Sequence, residues 1–153
     1  MKTILTLLII IVVGFFIYQG VKDETPSENG APTEGSILGC YRIRSEKDVY
    51  TLSIFEQEES DVEGTLEFDN FEKDSSSGTF EGTYENEILL GDYAFQSEGT
   101  NSVIQVTFKK SGEDFIRGYG PLNTDGTRFT DLSKVTYDSS APLSVFKKEA
   151  CND

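Results

Sequence analysis

Residues 3–18, TILTLLIIIVVGFFIY, carry no charge and only two threonines as polar interruptions, and Lys2 precedes them. From residue 39 onward the pattern differs. Short stretches of β-branched and aromatic residues alternate with polar ones, separated by clusters of Gly, Asp, Asn, Ser and Glu, and no helical stripe appears. Between the two lies QGVKDETPSENGAPTEGS (19–36), which has no hydrophobic period. The pattern predicts a transmembrane signal anchor over 1–21, a disordered linker over 22–37 and an extracytoplasmic β domain over 38–153.

A helix over 3–21 would be roughly 28 Å long at about 1.5 Å per residue, close to the ~30 Å hydrocarbon core of a bilayer. A cleaved signal peptide needs small residues directly after its apolar core. Phe15, Phe16, Ile17, Tyr18 and Gln19 stand there instead, so the helix is expected to remain. Ile37, Leu38, Gly39 and Cys40 look like a lipobox, but a polar stretch separates them from the apolar core, so Cys40 is not expected to be lipidated. Lys2 and the amino terminus precede the helix, while Lys22 is followed by Asp23 and Glu24. This favours a single pass with the N-terminus cytoplasmic and the domain outside. The linker buries too little apolar area to offset the entropy of ordering and serves as a tether.

Within 49–55, Tyr50, Leu52 and Ile54 alternate with Val49, Thr51 and Ser53, the two-residue period of a half-buried strand. The same period marks 65–68, 78–84, 92–95, 103–108 and 114–119; with 40–44 and 143–147 it predicts about eight strands, joined by turns such as those at Asn86 and Gly112. So many sequential strands suit an all-β antiparallel meander closing into a small, lipocalin-like barrel, which removes sticky edges; a two-sheet sandwich is the rival. The segments EGTLEF, EGTYE, LGDYAF and RGYG each put a glycine close before an aromatic, as a sharply bent strand needs, or as a glycine under a neighbour's ring would. Eleven Phe and seven Tyr favour a filled interior.

Cys40 opens the first strand and Cys151 follows the last. In a closed barrel those ends are neighbours, so a disulfide is expected, worth about 4–5 kcal/mol in the chain-entropy model for a loop of roughly 100 residues. Two free buried thiols are the alternative. The bond would place the domain outside the cytoplasm.

Thirteen Lys and Arg against 27 Asp and Glu leave a net charge of −14, with no histidine. Phosphate repulsion excludes nucleic acid as a partner. Glu56, Glu58, Glu59, Asp61 and Glu63 read as a solvated turn. Without histidine there is no Ser-His-Asp triad, no HExxH zinc site and no imidazole ligand, and no phosphate loop is present. The stretch 123–131 has oxygen ligands at alternate positions but lacks the closing Glu of a calcium loop and carries Arg128, so it reads as a polar hairpin. No cofactor or metal is expected. No carboxylate pair is singled out by spacing, so the chain does not read as an enzyme, a hydrolase being the remote alternative. The polar residues that draw interest are Glu72, Lys73 and Asp74 in FEKDSSSGTF, Gln96, Ser97 and Glu98 in FQSEG, and Arg117 and Tyr119 in IRGYG. They lie beside strand ends, where a barrel mouth would gather them. Lys73 or Arg117 pairing with Asp74 or Glu98 would make them structural ion pairs and turn caps; otherwise they outline a polar ligand pocket.

The string NFEKDSSSGTFEGTY, followed by LLGDYAFQSEGTNSVIQVTFKKSGEDFIRGYG, resembles a family of uncharacterised bacterial envelope proteins and lipoproteins with EKDxxxGT, YxFxSEG, SVxxVxFKK and GYG motifs. The resemblance covers roughly residues 39–120, while 127–153 departs from it. It implies an extracytoplasmic β domain without an assigned activity. Members usually carry a lipobox directly after the apolar core, which this chain lacks. Two functional classes follow: a structural or protein-interaction domain of the envelope, or a module that binds a small ligand at the barrel mouth.

Overall fold

The computed structural model describes residues 35–97 and 99–151. The expected anchor, the linker up to residue 34 and Glu98 lie outside the described residues. Among the described residues no helix is long and apolar enough to cross a membrane.

The chain forms β1 (Gly39–Arg44), β2 (Val49–Glu58), β3 (Asp61–Asp69), β4 (Ser76–Glu85), β5 (Ile88–Ser97), β6 (Thr100–Ser111), β7 (Asp114–Arg117) and β8 (Val145–Glu149). Each strand pairs antiparallel with the next and β8 returns to β1, giving a closed barrel rather than a sandwich. In β3 the alternation of exposed and buried residues is complete, with Val62, Gly64, Leu66 and Phe68 inward and the acidic residues outward. Antiparallel pairing in register then puts Leu52 opposite Leu66 and Tyr50 opposite Phe68.

Glu56, Glu58, Asp61 and Glu63 are strand residues, not the solvated turn expected from their charge; only Glu59 and Ser60 lie between β2 and β3. A bulge explains it. The register shifts between Ile54 and Glu56, and the extra residue, Phe55, lies on the surface. Without that extra residue Glu56 and Glu58 would continue the inward series of Leu52 and Ile54; with it, Gln57 pairs with buried Val62 and the carboxylates face water. Elsewhere glycine permits the tight coiling of the wall. Gly82 faces Gly91 across β4 and β5, and a Cβ on Gly82 would lie 2.3 Å from the Leu90 carbonyl oxygen. Both expectations for the glycine–aromatic segments are met, since Gly64 and Gly78 also pair with Phe80 and Phe95.

Fifteen buried apolar side chains fill the barrel, from Ile37 at one end to Phe68 and Tyr93 toward the other. Ile37, counted with the linker on sequence, belongs to this core: its N–H donates to Gln57 and its carbonyl accepts from the Tyr41 hydroxyl at 2.8 Å. Phe108 is central, with ring centroids 6.4 Å from Phe80, 6.4 Å from Phe115 and 5.3 Å from Phe146.

The seam between β1 and β8 is short, three residue pairs from Cys40 to Arg42, and the Cys40–Cys151 disulfide closes it. A long excursion, 118–144, separates β7 from β8 and bridges to itself at Tyr119–Thr136 and Leu122–Phe129. It covers the flank of β6 that the short β7 leaves open: Gly118 N–H donates to the Thr107 carbonyl and Gln105 N–H to that of Thr127, at 2.8 and 2.7 Å. Thr107, buried on the outer side of β6, shares a 2.9 Å hydrogen bond with the Tyr137 hydroxyl. The stretch 123–131 is the polar hairpin expected, with Asn123 Oδ1 accepting from the N–H groups of Thr127 and Arg128.

Candidate functional site

Antiparallel order sorts the connections between the two ends of the barrel. The proximal end, where the chain enters β1, carries the β2–β3, β4–β5 and β6–β7 turns. Lys110 and Lys148 cap it, their ammonium nitrogens 5.8 and 6.0 Å from the Tyr41 ring centroid. Burial and the neighbouring Lys148 lower the Lys110 pKa. Carboxylates of Asp114, Glu113 and Glu87 lie near enough to oppose that shift.

The distal end gathers the β1–β2, β3–β4 and β5–β6 connections and the start of the excursion. Hydrogen bonds brace its loops. Asn70 Oδ1 accepts from the Tyr50 hydroxyl at 2.9 Å, Asn70 Nδ2 donates to the Asp74 carbonyl at 3.0 Å, and Asp48 Oδ1 accepts from Phe71 N–H at 3.1 Å. Glu72 pairs with Lys47 at 3.2 Å, and the same ammonium lies 4.6 Å from the exposed Phe71 ring. Lys47, Asp48, Tyr50, Asn70, Phe71, Glu72, Lys73 and Leu143 enclose an open cleft of about 230 Å³. Leu143, at its edge, holds a left-handed backbone with φ of 55°, a conformation that costs a leucine energy and that clusters at functional sites.

Inside the mouth the rings form a ladder. Tyr50 and Phe68 meet at 4.9 Å, Phe68 and Tyr93 at 5.7 Å, and Tyr93 stacks on Phe95 at 4.7 Å. The Arg117 guanidinium lies 4.7 Å from the Phe68 centroid and 5.4 Å from that of Tyr119. Burial raises the pKa of the Tyr50 and Tyr93 hydroxyls, and the positive charge of Arg117 partly opposes it at both.

The 72–74 loop and Arg117 with Tyr119 thus lie at the same end of the barrel but not in one site: Glu72 and Lys73 line the cleft of about 230 Å³, whereas Arg117 and Tyr119 line a separate cleft of about 130 Å³. Ser97 ends β5 half-buried, opposite Thr100. Gln96 does not join the mouth: it is exposed on the outer side of β5, beside inward Phe95, and borders an open cleft of about 410 Å³ with Thr79, Asn101 and Val103. Its place in the period, one residue after Phe95, is the reason. The pairing of Lys73 or Arg117 with Asp74 is not formed; the loop's ion pair is Glu72 with Lys47. The contributions of Phe68, Tyr50, Asn70 and Lys47 were missed on sequence. Strand parity carried part of the signal, because Arg117 follows inward Phe115 by two residues.

Fold and site define a class by geometry: a closed eight-stranded antiparallel barrel with a packed interior and an aromatic mouth that carries Arg117. No family model, curated protein or solved structure matches the chain.

Proposed function

We propose that the chain is a single-pass membrane protein of the cell envelope whose extracytoplasmic barrel is a structural or protein-interaction module, with its N-terminus in the cytoplasm. The observation that carries this reading is the packed interior, which directs recognition to the outer surface and loops. Large apolar side chains are available there, with Phe71 64% and Phe55 60% exposed. The uncharged run over residues 3–18 supports the anchor, and the disulfide supports an oxidising compartment. No reaction is assigned. Among the described residues the carboxyl groups with displaced pKa values, Asp131, Asp138 and Glu149, are all lowered by hydrogen bonds, opposite to what a general acid needs.

Photocrosslinking tests the module. A photoreactive residue at Phe71 or Phe55 in the native envelope is expected to capture one discrete partner protein, and absence of any adduct at both positions counts against the reading. Topology is checked on intact cells, where a membrane-impermeant maleimide should label Cys40 and Cys151 only after impermeant reductant is added.

A second reading, a small-ligand module using the distal mouth, is favoured by the cleft of about 230 Å³ and by the strained Leu143 at its edge. Native mass spectrometry of the purified full-length chain is expected to show a bound species if it holds.

A further inference from the structure

We propose that Arg117 anchors a carboxylate-binding site in the distal mouth, taking an organic acid or a polypeptide C-terminus whose carboxylate is attached to a compact apolar stem. This rests on the second reading above in placing a small ligand at the distal end, puts it in a cleft separate from the one that Leu143 borders, and names its class.

Arg117 lies against two rings. Its guanidinium carbon is 4.7 Å from the Phe68 centroid and 5.4 Å from that of Tyr119, cation–π contacts that use its charge without consuming its hydrogen bonds. Among the described residues, no carboxylate or carbonyl accepts from its guanidinium N–H groups; the ion pairs of this chain's other arginines are Arg42 and Arg44 with Glu149 and Arg128 with Asp92. No buried side-chain nitrogen or oxygen among them lacks a partner, so the Arg117 N–H groups are not sealed from solvent. A planar fork set between two rings, with no acceptor on its N–H groups, matches a carboxylate through two parallel hydrogen bonds.

The adjoining space selects the rest of the ligand. A cleft of about 130 Å³ runs from Arg117 between β6 and the excursion, walled by Ile104, Val106, Tyr119, Leu122 and Phe129. A cavity of roughly 150 Å³ accommodates a benzene-sized body, so the stem is short. Inorganic phosphate or sulfate would leave that apolar wall unused. The net charge of −14 repels anions at long range. That repulsion is screened beyond about 8 Å at physiological ionic strength, and around the mouth Lys47 already neutralises Glu72.

The test uses the full-length chain in detergent and titration calorimetry with four probes: 3-methylbutanoate, 3-methylbutanamide, and an alanine tripeptide extended by leucine with a free or an amidated C-terminus. Each free acid is expected to bind about tenfold or more tightly than its amide, as removal of a charge-assisted hydrogen bond requires. Arg117→Gln should abolish binding, and Arg117→Lys, which keeps the charge without the fork, should weaken it. Should Arg117→Gln fail to fold, the acid-against-amide contrast on the unaltered protein and the backbone NMR shifts at Ile104, Gly118 and Gly120 decide the matter. Equal affinity for acid and amide, binding that survives in folded Arg117→Gln, or no binding of either acid overturns the proposal. Tighter binding of the free-terminus peptide than of 3-methylbutanoate identifies a polypeptide tail as the source, and the reverse identifies a small acid. A non-acidic species found by native mass spectrometry, with the acids inert, overturns the carboxylate proposal and leaves the mouth reading standing.

Discussion

Single residues in this barrel store strain and proton affinity that a change of one side chain can release. Asn86 and Glu87 turn the chain between β4 and β5 with φ of 51° and 65°, the two positive values of a type I′ hairpin. Glutamate gains nothing from that conformation, whereas glycine adopts it without steric cost. Glu87→Gly is expected to raise stability by about 0.5–1 kcal/mol in urea denaturation, the steric relief outweighing the added freedom of the unfolded chain. Tyr41 poses a different case. Burial, assisted by Tyr84, Glu113 and Asp114, pushes its pKa up to about 12. Between pH 10 and 12 the unfolded phenol has lost a proton that the folded one keeps, so the unfolded state binds fewer protons and stability falls as pH rises. Tyr41→Phe should flatten that alkaline decline. It should also cost about 1 kcal/mol at neutral pH, because the Ile37 carbonyl loses its donor. Urea denaturation from neutral pH into the alkaline range reads both effects.

At the scale of strands, register turns scattered acids into a row. Glu56 pairs with Glu63, Glu63 with Glu81 and Glu81 with Asp92, so four carboxylates lie side by side across the outer faces of β2 to β5. Directly opposed like charges destabilise a sheet. Arg128 relieves one end of the row through its 2.7 Å contact with Asp92. Glu81→Lys, flanked by Glu63 and Asp92, is expected to stabilise the barrel by about 0.5–1 kcal/mol at low ionic strength, the gain shrinking as salt is added. A gain that is indifferent to salt would point away from charge relief. The Phe55 bulge builds this row, since it turns Glu56 outward.

For the molecule as a whole, closure depends on its weakest joint. β7 and β8 share two residue pairs and β1 and β8 three, whereas β5 and β6 share ten. The Cys40–Cys151 bond spans the β1–β8 seam beside it, ties β8 to the barrel, and closes a loop with sequence separation 111. The double variant Cys40→Ser and Cys151→Ser is expected to lose about 4–5 kcal/mol in the chain-entropy model, read as a lower thermal midpoint that reductant no longer changes. In the unaltered protein reductant should reproduce most of that loss.

Alternation of side chains along the chain was enough to indicate the all-β class and about eight strands, because a two-residue period with one buried face is a strand signal; only the pairing of β8 with β1 decided for a closed barrel over a two-sheet sandwich. The disulfide was expected on the condition that the meander closes, since closure brings the ends of the first and last strands together, and the Cys40–Cys151 bond is formed. Strand limits were less legible: β2 runs three residues past its expected end and β3 begins four residues before its expected start. Acidic composition there resembles a turn, and only pairing with Val62 shows otherwise. Of the expected site, the loop residues Glu72, Lys73 and Asp74 and the residues Arg117 and Tyr119 lie at one end of the barrel but line different clefts, while Gln96 faces outward. What only tertiary structure decided is which rings meet Arg117 and what its guanidinium leaves unpaired. Phe68 and Arg117 are 49 positions apart along the sequence, and no local pattern encodes a contact made by closing the barrel.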